Sequence, residues 1–203
     1  MPNAEFFARL GLVVIREFLD SDLCTMLVTE ARSSARIPSL TYADGGTSAD
    51  KSFRRASDVK VSRRSRLMVQ QRLLAVKPKM EEHFGMSLSD CEMPDFLSYN
   101  EGDFFRMHCD SGDSEDESCP ERLKKRKVSA VIFLNRQSER PEYGCYSGGS
   151  LSLHGLLDKP EWRSFAFPLI GEPGLLIAFR SDTYHEVEPV THGERHSIVS
   201  WFV

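Results

Sequence analysis

Eight short segments in the second half of the chain constrain its fold more than any other feature. Residues 95–99, 104–110, 127–135, 149–153, 164–168, 174–179, 184–187 and 195–203 are rich in Val, Ile, Leu and Phe and are separated by turn chemistry. β-Branched and aromatic side chains suit a pleated, half-buried backbone, so runs this short between turns read as strands. Eight of them predict a double-sheet roll or barrel. The first half reads as mostly helical. Residues 11–18 alternate loosely and predict an edge strand. Ser21 is placed to N-cap a helix through about Arg32, with Leu23, Leu27 and Ala31 on one side. Residues 38–50 have the composition of a loop. Val69, Leu73, Val76, Met80 and Phe84 recur at helical spacing and predict a helix over 66–84, which Pro78 kinks or splits. The expected fold class is α+β. A jelly-roll core (96–203) carries N-terminal helices from a helical support region (1–95) on one face, within a single domain over 1–203.

Composition narrows the function classes. The chain has 203 residues, 40% hydrophobic and 28% charged, as an ordinary globular domain has. A formal net charge of −4 gives no reason to expect nucleic acid as a partner. The longest apolar runs, 10–15 and 174–179, are far too short to span a bilayer, and Glu5 and Arg9 stand where a signal peptide needs apolar residues. The five cysteines form no CxxC pair and read as thiols of a reducing, cytoplasmic compartment. No feature of the sequence sets an oligomeric state.

The chemistry concentrates in two of the strands. Residues two apart on a strand face the same side, so His108 and Asp110 can reach one ion, with Phe104 and Arg106 sharing their face and Phe105, Met107 and Cys109 turned away. By itself such a pair is as well explained by a surface hydrogen bond. A third ligand is sought among His154, His185, His192 and His196. His185 has strand neighbours on both sides. His192 falls in a turn, His196 faces oppositely to Arg195, and His154 ends a strand as a surface histidine. Two imidazoles and one carboxylate bind one face of an octahedral ion and leave three positions open, the donor set of non-haem Fe(II) oxygenases. Zinc prefers a tetrahedral site, more often with cysteine or a third histidine. Arg195 follows His185 by ten residues and shares a strand face with Ser197, Val199 and Trp201. Its fork suits a carboxylate. Ser197 can add a hydroxyl to the same group, and Trp201 an apolar wall. A surface salt bridge is the alternative for Arg195 taken alone; its spacing from His185 favours a ligand.

From about Phe96 to Val203 the chain resembles the prolyl 4-hydroxylase-like branch of the 2-oxoglutarate/Fe(II) oxygenases. The segment YNEGDFFRMHCD (99–110) is similar to that family's tyrosine–glycine–HxD stretch, VIFLN (131–135) to its central strand, and GGSLSL (148–153) to its Gly-Gly-x-Leu segment. The most specific match is HEVEPV, then Gly-x-Arg, then Trp, within 168–202. The resemblance implies a double-stranded β-helix, with Fe(II), 2-oxoglutarate and O2 as cofactors and co-substrates and ascorbate as a reductant. It implies His108, Asp110 and His185 as iron ligands and catalytic centre, and Arg195 as partner of the distal carboxylate of 2-oxoglutarate. Tyr99 lines the co-substrate pocket, or is a buried core tyrosine, and Trp201 stands at a pocket-wall position. Phe133 replaces a tyrosine that contacts this carboxylate in many prolyl hydroxylases, and Ser129, on the same strand face, is expected to substitute. Related halogenases carry a small residue in place of Asp110, so an aspartate implies hydroxylation or another oxidative outcome. Related nucleic-acid demethylases carry a second arginine where Trp201 stands, so no nucleic-acid substrate is expected.

The reaction implied is hydroxylation of an unactivated C–H of an amino-acid unit, peptidyl proline first, with release of succinate and CO2. A free amino acid or a small metabolite is the alternative substrate. A catalytically silent β-helix that binds a ligand or partner is the reading from another class, and the presence of all three ligands and the arginine weakens it. A lyase or isomerase of similar shape would not need Arg195. Expected partners are a peptide, amino acid or small-molecule substrate, with no nucleic acid and no membrane. Arg106, on the iron-facing side of its strand, is the candidate substrate contact. The charged loop 111–127 is either a lid or a solvated loop, and the basic run from Lys51 to Arg66 either faces an acidic substrate or is a solvated face.

Overall fold

A computed structural model describes residues 4–43, 46–112, 115–157 and 165–203. In chain order its elements are α1 (Ala4–Arg9), β1 (Val13–Ile15), α2 (Ser21–Ser33), β2 (Arg36–Pro38), β3 (Thr41–Ala43), β4 (Gly46–Ser48), β5 (Arg54–Arg55), β6 (Ser57–Val59), α3 (Arg63–Phe84), β7 (Asp95–Tyr99) and β8 (Phe104–His108). There follow α4 (Glu121–Lys124), β9 (Val128–Phe133), β10 (Tyr146–Gly148), β11 (Leu151–His154), β12 (Ala166–Leu169), β13 (Leu176–Arg180), β14 (His185–Val187), β15 (Val190–Gly193) and β16 (Arg195–Phe202).

The strands form a larger sheet, β1-β13-β9-β16-β7-β6-β2, and a smaller one, β12-β11-β14-β8-β5. Their pairings are antiparallel. Strand alternation sends the apolar residues of the larger sheet into two separate cores. On one face Ala130, Ile132, Leu176, Ala178 and Ile198 pack with Leu27 of α2 and Val69, Leu73 and Met80 of α3. On the other, Val131, Phe133, Ile177 and Phe179 pack against Leu151, Leu153 and Leu169 of the smaller sheet. Each side chain buried this fully contributes about 1.5–3 kcal/mol. The result is the expected α+β arrangement, with α2 and α3 on one face of a sheet and a second sheet against its other face, where α1 departs from the expectation by adding Phe7 to the core between the sheets.

The helix ends follow local chemistry. The cap of α2 is Asp20, one residue before the expected Ser21, and its carboxylate accepts from the Leu23 amide at 2.8 Å. Ser62 caps α3, which runs unbroken through Pro78 to Gly85. Pro78 is on the exposed side of the helix, where water can serve the carbonyl that the missing N–H leaves free. That is why the expected break is absent.

Reading the first half as mostly helical misses five short strands. β2 and β6 complete one edge of the larger sheet, and β5 pairs with β8 at the edge of the smaller. The β3–β4 hairpin lies in the segment read as a loop. Two or three residues are too few to show alternation. The same limit hides β10 and β15, which pair with each other and place His192 on an exposed strand instead of in a turn. Among the described residues no helix is long and apolar enough to cross a membrane. All five cysteines are free, and burial pushes the thiols of Cys24 and Cys91 up to about 11.

Gly174 ties the N-terminal segment to the larger sheet. Its amide donates to the Phe133 carbonyl at 2.8 Å and its carbonyl accepts from Leu19 at 3.3 Å. Its φ is +76°, and a Cβ there would lie 1.9 Å from the Leu19 oxygen. Gly174→Ala should therefore cost about 2 kcal/mol or more, a fall in Tm of roughly 4–8 °C for a chain of this size. An unchanged melting curve would show that the Leu19 turn moves aside freely.

Candidate metal centre and anion site

β8 and β14 are neighbours in the smaller sheet, and their register sets His185 opposite His108. Asp110 lies just past β8, its amide held by the Ser181 carbonyl at 2.9 Å. The ligand atoms of His108, Asp110 and His185 all lie within 4.8 Å of one another. His108 Nε2 is 3.7 Å from Asp110 Oδ1, and His185 Nε2 is 3.5 Å from Asp110 Oδ2. This is the only such group among the described residues.

The supporting contacts fix what these atoms can do. His108 Nδ1 meets the Arg106 carbonyl at 2.8 Å, and His185 Nδ1 meets the Thr183 carbonyl at 2.9 Å. A carbonyl only accepts, so each Nδ1 carries the proton and each Nε2 turns a lone pair toward Asp110. Ser129 Oγ donates to Asp110 Oδ2 at 2.7 Å and lies 3.0 Å from Ser181 Oγ. Burial, reinforced by the neighbouring His185, pushes His108 well below the usual imidazole range. Burial alone would raise Asp110, but the charged form of either neighbouring histidine and the Ser129 hydroxyl outweigh it and hold the carboxyl below the usual carboxylate range. Two neutral nitrogens and one carboxylate thus converge on one point, which fits a divalent metal of the iron type. Ser129→Ala should loosen Asp110 and weaken metal binding about 10–100-fold, as competition with a metal-sensitive dye would measure. Unchanged affinity would make this contact incidental.

Three expectations are corrected here. Strand alternation does not hold through β8, because the pairing with β14 shifts register between His185 and Val187. Phe105 therefore faces inward and stacks on His108 at 3.5 Å between centroids. Arg106 is exposed, donates through Nε to the Ser52 carbonyl at 2.7 Å and lies over Phe104, so it is not on the metal-facing side. Ser129 serves the metal end of the site: it pairs with Trp201, whereas Arg195 pairs with Tyr99 further along β16. His154 is no surface residue, since its Nε2 lies 3.1 Å from Glu186 Oε1 and its side chain is 13% exposed.

The other residues fall as follows. His196 is buried on the face of β16 opposite to Arg195, 3.1 Å from Glu194. The Trp201 indole N–H turns toward Asp110 and helps to lower its pKa without completing a hydrogen bond. Its ring is covered by Arg126 at 3.4 Å, which also forms a two-pronged pair with Glu92. In the loop 111–127 the described part is folded, with α4, a buried Cys119 and an amide of Gly112 donating to Leu123.

Arg195 is 1% exposed. Its guanidinium lies 5.0 Å from the Tyr99 ring and 5.2 Å from the Phe133 ring. Nη1 donates to Ser197 Oγ at 2.9 Å, which orients the fork, and Nε has no partner. No carboxylate pairs with it among the described residues. Burying a guanidinium without a counter-ion is costly, and the arrangement could accommodate an anion here. An apolar cluster of Leu97, Tyr99, Tyr146, Val187 and Val190, with Phe105 against it, spans from the Arg195 end to His108. Tyr146 was missed in the sequence, although it stands just before the GGSLSL segment. It is wholly buried and its hydroxyl has no partner.

A family model described as the 2OG-Fe(II) oxygenase superfamily matches residues 94–203, more than half of the chain. A PKHD-type hydroxylase of Shewanella oneidensis is 30% identical over 108 residues, 53% of this chain and 41% of that protein. The chain thus spans about two fifths of the length of that curated relative. Among solved structures, a Pseudomonas putida prolyl-4-hydroxylase superposes with a TM-score of 0.64 at 25% identity, over 98% of this chain and 95% of its own. A prolyl hydroxylase of Trichoplax adhaerens, in complex with a hypoxia inducible factor peptide fragment, gives 0.67 at 18% identity over 98% and 88%, a likeness of fold.

Proposed function

Because the chain belongs to the 2OG-Fe(II) oxygenase superfamily, we propose that it is a 2-oxoglutarate- and Fe(II)-dependent dioxygenase that hydroxylates an unactivated C–H of an amino-acid unit. A peptidyl prolyl residue is the leading substrate, and succinate and CO2 are the by-products. The observation that carries this reading is the pairing of a His–His–carboxylate cluster with a buried arginine that has no counter-ion, joined by one apolar wall. The two facing sheets support a double-stranded β-helix as its frame, in a single domain to which strands from before residue 96 contribute.

In this reading His108, Asp110 and His185 hold the iron. The carbonyls of Arg106 and Thr183 keep both imidazoles in the tautomer that can ligate, and Ser129 keeps Asp110 turned inward. Arg195, oriented by Ser197, takes the distal carboxylate of 2-oxoglutarate, and Tyr99 flanks it. Bound iron supplies activation of O2 and oxidation of the C–H bond, coupled to decarboxylation of the co-substrate. Ring contacts of Phe105 and Phe179 with the histidines limit water around them.

The Pseudomonas putida and Trichoplax adhaerens neighbours are prolyl hydroxylases, which supports proline. The test is mass spectrometry of pooled proline-containing peptides and pooled free amino acids after incubation with the protein, Fe(II) and 2-oxoglutarate in air. One added oxygen on a peptide prolyl supports the reading. Oxygen added only to free amino acids or small metabolites would move the substrate class.

A further inference from the structure

The co-substrate end of the site contains a feature that the sequence pattern leaves unexplained. Phe133 on β9 has no hydroxyl to offer a carboxylate, and Ser129, four residues earlier on that strand, is committed to Asp110. Yet a hydroxyl does reach this region, from a different strand. Tyr146 on β10 is 0% exposed, and its Oη is buried without a hydrogen-bond partner. A Cβ added at Gly171 would lie 2.1 Å from Tyr146 Oη and 2.7 Å from Phe133 Cδ1, which sets this hydroxyl beside the Phe133 ring. A Cβ added at Gly149 would lie 3.2 Å from Arg195 Cδ and 3.3 Å from Tyr146 Cε2, which sets the two side chains against each other. The Arg195 guanidinium itself is 5.2 Å from the Phe133 ring. Burial raises the Tyr146 phenol pKa, and the charge and close approach of the Arg195 guanidinium pull it back, although the contact falls short of a well-formed hydrogen bond.

Tyr146 O–H and Arg195 Nε–H are therefore two buried donors close to one another, and among the described residues neither has an acceptor. Buried polar groups are nearly always paired, and an unpaired one carries its full desolvation penalty. Adjacent orphan donors, one of them cationic, ask for one anionic acceptor. We propose that Tyr146 is a second donor for the distal carboxylate of the co-substrate, and that its hydroxyl, delivered from β10, takes the role Phe133 cannot fill. The inference rests on the 2-oxoglutarate reading given above. Gly171 and Gly149 belong to the same arrangement: a Cβ at Gly171 would collide with the tyrosine hydroxyl, and one at Gly149 would press on Val190 and crowd Arg195 and Tyr146.

The test reads binding and not turnover. Calorimetric titration of the Mn(II)-loaded protein with 2-oxoglutarate should show Tyr146→Phe binding roughly 10–100-fold more weakly than wild type, as loss of a hydrogen bond to a charged group implies. Titration with 2-oxopentanoate, which keeps the carbon chain and lacks the distal carboxylate, should give the same affinity for both proteins. Adding Phe133→Tyr to Tyr146→Phe returns a hydroxyl to the neighbouring ring and should recover most of the lost affinity. The proposal is overturned if Tyr146→Phe binds 2-oxoglutarate like wild type, or if it loses affinity for both acids equally and Phe133→Tyr restores nothing, since that pattern belongs to a packing defect. Wild type that binds 2-oxopentanoate but not 2-oxoglutarate would sink the parent reading as well.

Discussion

Asp110→Ala abolishes tight Fe(II) binding and with it all 2-oxoglutarate turnover, while the fold survives. The carboxylate is the hub of the cluster: both imidazole Nε2 atoms face it, at 3.7 and 3.5 Å, and it is the only charged ligand. Losing a contact that merely supports a ligand costs about 10–100-fold in metal affinity, so losing the charged ligand itself costs more. The fold does not depend on it. The carboxylate is tied down by a single hydroxyl, Ser129, and by its own amide on the Ser181 carbonyl, which alanine keeps. Anaerobic equilibrium dialysis with Fe(II) and a circular-dichroism melt separate the two effects. Retention of wild-type iron affinity by a folded Asp110→Ala protein would remove Asp110 from the site.

Arg195→Met raises the 2-oxoglutarate requirement about 100–1,000-fold, because two charge-assisted hydrogen bonds are lost, worth about 3–4 kcal/mol together. Methionine keeps much of the buried volume and removes a charge that has no counter-ion among the described residues. Stability of the ligand-free variant should therefore equal or exceed that of wild type, as replacement of buried ionic groups by apolar ones often does. The opposite signs make the prediction specific: weaker co-substrate binding with an undiminished Tm. Weaker binding together with a large fall in Tm would mean that Arg195 is a structural residue.

These two residues were legible in the sequence for a physical reason. The metal ligation and carboxylate recognition proposed for His108, Asp110, His185 and Arg195 require particular side chains at spacings the strand geometry restricts, and such side chains leave a pattern in the letters. Most strands of the second half were legible too, because their apolar runs extend over four or more residues, whereas β10 and the polar β15 were not. What stayed hidden depends on the backbone. The carbonyls of Arg106 and Thr183 that set the imidazole tautomers have no side-chain signature. The register shift opposite β8, which turns Phe105 inward and Arg106 outward, is a property of the pairing with β14 and not of either strand alone. Tyr146 escaped because its strand has only three residues and its partner, Arg195, lies forty-nine positions away. Ser129 was seen as a polar residue on the right strand, but which end of the site it serves depends on its register against Trp201.

Together, the His–Asp–His cluster and Arg195 would form a 2-oxoglutarate-dependent oxygen-activating centre. Its most direct test is succinate formation from 2-oxoglutarate by protein loaded anaerobically with Fe(II) and then exposed to air, in the presence of pooled peptides and amino acids. Succinate should require both iron and O2 and should vanish in His185→Ala. Equal succinate from wild type and His185→Ala, or none from a wild-type protein that binds neither Fe(II) nor 2-oxoglutarate, would contradict this assignment and favour a silent binding module.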